Sequence, residues 1–150
     1  MSNEKPLRIL VVEDEILIAL ELESLLQDLG HDVVGIAASS EDALALGQEL
    51  KPDLAFVDIH LSDGPTGIEV ARHLATQHQV TVLFMTANAK RIPEDFAGAW
   101  GVIVKPYTER GVREALSYVM AGQPSDSDSG RAVTFYPFGA GTRERSSQVS

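Results

Sequence analysis

The chain has 150 residues with no cysteine, and its 22 acidic and 12 basic side chains give a formal net charge of −10. This length suits a single domain with a full hydrophobic core, and the lack of cysteine gives no sign of a disulfide framework or a thiol site. The acidic excess argues against binding nucleic acid through its phosphates, because that interaction requires a basic face.

Short apolar runs alternate with helix-length amphipathic segments along the chain. The runs cover residues 7–12, 32–37, 54–57, 80–85 and 102–104. Between them, helices are predicted from about Glu15 to Leu29, from an N-cap at Ser40, from near Thr66, and from about Glu109 to Met120. Runs rich in Val, Ile and Leu are typical of parallel strands buried on both faces. The sequence therefore predicts the α/β class, with a doubly wound five-stranded parallel sheet in the order 2-1-3-4-5 and helices on both faces.

The segment between Thr86 and Gly101 has no clear helical pattern. Pro93 lies near its middle, and a proline cannot occupy the interior of a regular helix without the loss of a hydrogen bond. We therefore expect a short segment there, with Pro93 in the first turn of any helix that forms.

The C-terminal part of the chain differs in composition from the rest. Residues 123–130 are small and polar, which is typical of a linker, and an aromatic cluster at 135–138 fits a disordered segment and a docking motif equally well. We expect an N-terminal tail at 1–6, a folded domain at 7–121 and a flexible tail at 122–150 that is too short for a DNA-binding or catalytic domain. Neither a signal core nor a bilayer-spanning stretch is visible, so we expect a cytoplasmic protein with no membrane insertion.

Polar side chains follow four of the apolar runs directly. Glu13 and Asp14 follow the first run, Asp58 the third, Thr86 the fourth and Lys105 the fifth. Because ligands of parallel sheets bind beyond the carboxyl ends of the strands, these side chains are expected to converge on one pocket.

The chemistry of this predicted pocket is that of phosphoryl transfer. Three crowded carboxylates raise at least one pKa unless a cation offsets their repulsion, and Mg²⁺ with carboxylate, water and phosphate oxygens fits that need. Lys105 would pair with an incoming phosphoryl oxygen, and the Thr86 hydroxyl would donate to another. Asp58 would then be the oxygen nucleophile that forms an aspartyl phosphate.

At these residues the chain closely resembles the receiver domain of two-component response regulators. The resemblance covers about residues 7–121 and rests on four motifs: Val12-Glu13-Asp14-Glu15, Val57-Asp58-Ile59, Thr86-Ala87 and Lys105-Pro106-Tyr107. It implies a flavodoxin-like fold, Asp58 as the phosphoacceptor and Glu13 and Asp14 as the acidic pair that holds Mg²⁺ together with Asp58.

The same resemblance implies roles for further positions. The backbone carbonyl of His60 would be another metal ligand, Thr86 the switch hydroxyl and Lys105 the lysine that pairs with the phosphoryl group. The bond before Pro106 would be cis. The side chains of His60 and Asn88 would overlook the phosphoryl group and tune its hydrolysis.

Two positions depart from the receiver pattern. Many receivers carry an aromatic residue three positions before the lysine, where this chain has Val102, so Trp100 or Tyr107 would only partly replace the aromatic half of the switch. The loop after Asp58 lacks the common proline at Ser62. The irregular segment between Thr86 and Gly101 and the missing aromatic residue are similar to features of single-domain receivers paired with alphaproteobacterial stress and light-sensing kinases.

The predicted function is that of a stand-alone receiver with no output domain. It would take a phosphoryl group from a sensor histidine kinase onto Asp58 with Mg²⁺, lose it to water, and either switch a downstream partner or drain a shared phosphorelay. One alternative is a pseudo-receiver adaptor that acts without phosphorylation. Another is a phosphatase of the haloacid dehalogenase type, which is disfavoured because the Asp-x-Asp-x-Thr motif is absent at Asp58.

Simpler interpretations exist for each residue taken alone. Glu13 and Asp14 could be charges that favour the N-terminus of the first helix, Thr86 could satisfy local backbone groups, and Lys105 could be a surface lysine. These interpretations are weak for the set as a whole. The histidines at positions 31, 73 and 78 have no metal-binding spacing and are predicted to be surface residues.

Overall fold

The structure is a computed structural model that describes residues 6–87, 91–122 and 135–138. The strands are β1 (Arg8–Val12), β2 (Asp32–Ala37), β3 (Leu54–Asp58), β4 (Thr81–Thr86), β5 (Gly101–Val104) and β6 (Phe135–Pro137). The helices are α1 (Ile16–Asp28), α2 (Ser40–Leu50), α3 (Gly67–Gln77) and α4 (Glu109–Ala121), and Phe96–Gly98 form a 3₁₀ turn. Among the described residues, no helix is both long and apolar enough to cross a bilayer.

The sheet has the order β2-β1-β3-β4-β5-β6. Its first five strands are parallel, and β6 pairs antiparallel with β5. The predicted α/β class and the order 2-1-3-4-5 are confirmed, and a sixth strand extends the edge. Because the strands are parallel, the carboxyl ends of β1, β3, β4 and β5 lie along one edge of the sheet.

Alternation along each strand divides the core between the two faces. Leu10 and Val12 belong to the apolar cluster beneath α2 and α3, whereas Ile9 and Val11 belong to the cluster beneath α1 and α4. Every residue of β3 is buried. Helices therefore cover both faces, which explains why the apolar runs are continuous.

The N-cap of α2 is Ser39, and the predicted cap at Ser40 was wrong by one residue. The Ser39 hydroxyl accepts a hydrogen bond from the Asp42 amide at 3.2 Å. The Ser40 hydroxyl instead donates to a carboxylate oxygen of Asp63 at 2.6 Å. A contact across 23 residues thus decides between two adjacent serines that local sequence does not distinguish.

The region between β4 and β5 contains a short turn within the part that is described. Phe96–Gly98 form the 3₁₀ turn, and the Pro93 carbonyl accepts the Phe96 amide at 2.9 Å. Phe96 and Ala97 have positive φ values of 59° and 50°. Such values are uncommon for residues other than glycine, so surrounding contacts must hold this turn in place.

Two predictions about tertiary environment were wrong. Residues 135–138 were expected in a flexible tail, but Phe135–Pro137 pair with β5, and Phe135 is only 6% exposed. His31 was expected at the surface, but it is 8% exposed and its Nδ1 accepts the Leu7 amide at 3.0 Å. Both environments arise from long-range contacts. The remaining positions of the predicted tails, 1–5, 123–134 and 139–150, lie outside the described residues.

Candidate functional site

The predicted polar residues meet at the carboxyl edge of the sheet. Glu13 and Asp14 directly follow β1, Asp58 and Thr86 are the last residues of β3 and β4, and Lys105 directly follows β5. Glu13, Asp58 and Thr86 are only 1%, 7% and 3% exposed, respectively. The strand termini therefore bring these polar groups together and hold most of them away from bulk water.

Three carboxylates at this edge could hold a metal ion. Glu13, Asp14 and Asp58 each offer one oxygen, and these oxygens lie within 4.8 Å of one another. Asp14 is exposed while the other two residues are buried, so the cluster opens to solvent on one side. An all-oxygen set of this kind fits Mg²⁺, which keeps several of its waters and uses few protein ligands.

Lys105 forms the cationic side of the pocket. Its ammonium donates to Glu13 Oε1 at 2.7 Å and to Asp58 Oδ2 at 2.9 Å. A third carboxylate, that of the exposed Glu15, lies 3.7 Å away. The Lys105 backbone amide also donates to the Thr86 carbonyl at 2.9 Å, which fixes the start of the side chain against β4.

Burial and hydrogen bonding within the pocket shift the pKa values of Glu13 and Lys105. Burial raises the pKa of Glu13 to about 7, although the hydrogen bond from Lys105 opposes the rise. Burial also disfavours the charge of Lys105, but hydrogen bonds to Glu13 and Asp58 outweigh that effect and raise the pKa of its ammonium. One lysine therefore does not neutralise the pocket, and a further cation is favoured there.

Local backbone contacts orient the two buried carboxylates. The Glu13 amide donates to the Ala37 carbonyl at 2.8 Å, and Glu13 Oε2 accepts the Glu15 amide at 3.1 Å as α1 begins. Asp58 Oδ1 accepts the His60 amide at 3.3 Å. Each carboxylate thus uses one oxygen within its own turn and presents the other to Lys105.

Gly67 supports the site in a way that sequence inspection missed. A Cβ atom added to Gly67 would lie 1.9 Å from the backbone oxygen of Asp58, so the first turn of α3 packs against the end of β3 with no room for a side chain at this position. The Gly67 amide donates to the Ile59 carbonyl at 2.9 Å. A glycine at the start of a helix carries no signal of this contact in the sequence.

The loop between β3 and α3 is fastened by Asp63. Its carboxylate accepts hydrogen bonds from the amide and hydroxyl of Ser40 and from the Thr66 hydroxyl. These hydrogen bonds, led by that of the Ser40 side chain, lower the pKa of Asp63. Asp63 therefore ties the loop beside Asp58 to the start of α2.

The remaining predicted positions are placed as follows. His60 is exposed two residues after Asp58, the peptide bond between Lys105 and Pro106 is cis, and Asn88 lies outside the described residues. Val102 is buried against the core of the α2 and α3 face. Tyr107 lies near α1, where its hydroxyl is 3.4 Å from the Ile18 carbonyl, and burial followed by the charge of Glu21 raises its pKa to about 12.

Known proteins that are similar to this chain include response regulators. The family described as the response regulator receiver domain matches residues 9–117. The chain is 36% identical over 131 residues to the phyllosphere-induced regulator PhyR of Methylorubrum extorquens, covering 83% of this chain and 48% of that protein. It is 32% identical over 106 residues to the transcriptional regulatory protein PdtaR of Mycobacterium tuberculosis, covering 69% of this chain and 51% of that protein. The chain thus spans about half the length of these relatives.

Solved structures show the same fold. The PhyR receiver domain of Erythrobacter litoralis has a TM-score of 0.71 and 34% identity, covering 83% of this chain and 97% of that domain. A structure described as the anti-anti-sigma factor PhyR of Bartonella quintana has a TM-score of 0.70 and 29% identity, covering 80% of this chain and 49% of that protein.

Proposed function

Because the chain belongs to the response regulator receiver family, we propose that it accepts a phosphoryl group on Asp58 from the phosphohistidine of a sensor histidine kinase. A carboxylate oxygen of Asp58 attacks phosphorus as the P–N bond of the donor breaks, and the electron pair of that bond leaves with the imidazole nitrogen. The observation that carries this proposal is the buried Asp58 carboxylate held 2.9 Å from the Lys105 ammonium beside two further carboxylates.

Lys105 changes partners in this proposal. Before transfer its ammonium pairs with Asp58 and Glu13, and after transfer it pairs with a phosphoryl oxygen at the same Asp58 carboxylate. Thr86, at the end of the adjacent strand, donates its hydroxyl to another phosphoryl oxygen. These contacts exist only in the phosphorylated protein, so they shift the population between two conformations.

Glu13, Asp14 and Asp58 would hold Mg²⁺, with the His60 carbonyl as a further ligand. When bound, the ion neutralises charge on the transferring phosphoryl oxygens. The raised pKa of Glu13 supports this proposal, because a carboxylate that resists ionisation in the metal-free protein gains most from an added cation. The side chains of His60 and Asn88 would tune the return of the phosphoryl group to water.

The surface beside the pocket fits a docked kinase. Ile16, Leu17 and Leu20 of α1 are 58%, 73% and 45% exposed, although they are large apolar side chains. They begin three residues after Glu13, so a partner that covers them would also reach Asp58. With a kinase as its donor, the protein acts in the cytoplasm, as a partner switch or as a sink within a shared phosphorelay.

A second candidate is an adaptor that binds its partner without phosphorylation. Val102, in place of the aromatic residue found at that position in many receivers, favours this alternative because the expected inward swing of a ring has no counterpart there. Partner binding that is indistinguishable between the wild type and Asp58→Asn, with donor and Mg²⁺ present, would establish it.

Intact-mass spectrometry tests the proposed phosphotransfer. Incubation with a histidine kinase or a small phosphodonor and Mg²⁺ should add about 80 daltons to the wild type and nothing to Asp58→Asn. Asp32→Asn is a matched control, because Asp32 is exposed at the opposite end of the sheet. An unmodified wild type under all donors, or equal labelling of Asp58→Asn, would refute the proposal.

A further inference from the structure

The segment Phe135–Phe138 closes the free edge of β5. Phe135, Tyr136 and Pro137 pair with Ile103, Val102 and Gly101. The Phe138 amide then donates to the Trp100 carbonyl at 2.7 Å. Without this segment, β5 would expose a row of unpaired backbone groups, which is the feature that recruits an extended peptide in β-strand addition.

Aromatic side chains beside that edge, those of Tyr118 and Trp100, form the site in which the Phe135 side chain packs. Its ring packs 5.5 Å from the Tyr118 ring, which in turn meets Trp100 edge-on at 6.1 Å. A Cβ atom on Gly101 would lie 2.6 Å from the Phe135 ring. The glycine therefore leaves the space that the ring fills, and this edge is shaped for one aromatic side chain of an extended segment.

Phe138 holds a second contact at the strained turn before β5. Its ring stacks on Phe96 with centroids 4.2 Å apart and planes 13° apart. Phe96 and the next residue, Ala97, both have positive φ. Two such residues in succession are strained unless neighbours hold them in place, and the stacked ring is one of those neighbours.

The same strand connects this edge to the phosphorylation pocket. Val104 pairs with Thr86, and the Lys105 amide donates to the Thr86 carbonyl. Phe135 pairs with Ile103, one residue before Val104. Any displacement of Thr86 and Lys105 toward a phosphoryl group therefore acts on the strand to which the segment is attached.

We propose that the edge of β5 is a docking surface for an extended aromatic peptide, that the segment Phe135–Phe138 occupies it within the same chain, and that phosphorylation releases the segment. The inference rests on the proposed function for its trigger. A strand of three residues makes few ladder hydrogen bonds, so β6 is the element of the sheet that is most easily exchanged. Its docked geometry fits the state in which Lys105 bridges Glu13 and Asp58, and repositioning β5 removes that fit.

A peptide-exchange experiment on the full chain tests this inference. The probe is a labelled peptide with the sequence of residues 133–140, titrated with and without beryllofluoride and Mg²⁺ as a phosphoryl mimic. Fluorine-19 NMR reports occupancy of Asp58, and Trp100, the only tryptophan, reports release of the segment by its fluorescence. The wild type should bind the peptide at least about tenfold more tightly with the mimic than without it.

Three variants make the result specific. Phe135→Ser frees the edge and should bind the peptide tightly with or without the mimic, whereas Tyr136→Ser, on the exposed face of the same strand, should behave as the wild type. Gly101→Ala fills the space that the Phe135 ring occupies and should abolish peptide binding with or without the mimic. Circular dichroism confirms that each variant is folded.

The outcomes separate this inference from the proposed function. If the mimic occupies Asp58 and the peptide affinity does not change, the proposed release of the segment is refuted, while the proposed phosphotransfer to Asp58 is not. Equal peptide binding by Phe135→Ser and Tyr136→Ser, or retained binding by Gly101→Ala, would overturn the docking surface itself. If neither the mimic nor the added phosphoryl mass is detected at Asp58, the proposed function is refuted, and so is phosphorylation as the trigger for release of the segment.

Discussion

The Lys105 ammonium lies 2.7 Å from Oε1 of Glu13, across 92 residues of sequence, and shares its charge with Asp58. Both carboxylates are buried, and they outnumber the lysine that pairs with them. The metal-free pocket is therefore an incompletely neutralised site, in which loss of the lysine is costly and addition of a cation is favourable.

Replacing Lys105 by methionine should destabilise the metal-free protein by about 3 kcal/mol, because two buried carboxylates lose their partner. Urea unfolding measures this loss, and Mg²⁺ should restore part of it because the ion replaces the missing positive charge. Lys51→Met, at an exposed position after α2, is the control and should have little effect. An unchanged unfolding free energy for Lys105→Met would contradict the pairing described above.

Glu13 should make the stability of the metal-free protein fall as pH rises. Its pKa is raised from 4.5 to about 7 on folding, so the folded state binds more protons than the unfolded state between those values. The cost of ionising Glu13 is absent below the lower value and complete above the higher one. Glu13→Gln removes it and should stabilise the protein by on the order of 2–3 kcal/mol at a pH of about 8.

Urea unfolding of Glu13→Gln in the presence of a chelator checks this pH dependence. The gain over the wild type should shrink toward zero as the pH is lowered to about 4.5, because the wild-type carboxyl is then protonated in the folded state. A gain that stays constant across this range would show that packing, and not ionisation, is responsible.

Gly67→Ala should disturb Asp58 through the backbone. The added Cβ would approach the Asp58 carbonyl oxygen to 1.9 Å, and since backbone cannot yield as a side chain does, α3 or β3 must shift. We expect a loss of about 1–3 kcal/mol in unfolding free energy together with slower phosphorylation. Gly35→Ala is a suitable comparison, because its Cβ would meet only the side chains of leucines at 3.2 Å or more. Equal phosphorylation rates in the two variants would contradict the role given to Gly67.

Asp63→Ala should loosen the loop between β3 and α3 without unfolding the domain. The carboxylate accepts hydrogen bonds from Ser40 and Thr66, and both would be lost. Hydrogen exchange of the Ser40 amide and of residues 59–66 should accelerate, while that of β3 should not. Asp42→Ala, within α2, serves as the comparison. Unchanged protection of the Ser40 amide in Asp63→Ala would show that Asp63 does not hold the loop against the start of α2.

Local pattern was sufficient for the outline of the fold and for the contents of the pocket. Continuous apolar runs indicate buried parallel strands, and chain order with right-handed crossovers then limits the topology. Because parallel strands end at one edge, Glu13, Asp58, Thr86 and Lys105 could be assigned to the same pocket before any distance was known.

The helix boundaries and the side-chain contacts depended on interactions between distant parts of the chain. Asp63 selects Ser39 over Ser40 as the cap of α2, and a backbone oxygen of β3 requires the glycine at position 67. A local window of sequence contains only one of the two residues that form each such contact.

The sequence by itself determined which polar groups meet at the carboxyl edge of the sheet, because strand periodicity and chain order place them without reference to packing. Only the tertiary structure decided that Lys105 divides its charge between Glu13 and Asp58, that His31 is buried, and that Phe135 lies on β5. Each of these outcomes depends on contacts between residues that are far apart along the chain. Burial and geometry in the folded state determine which of these contacts form, and local composition does not predict them.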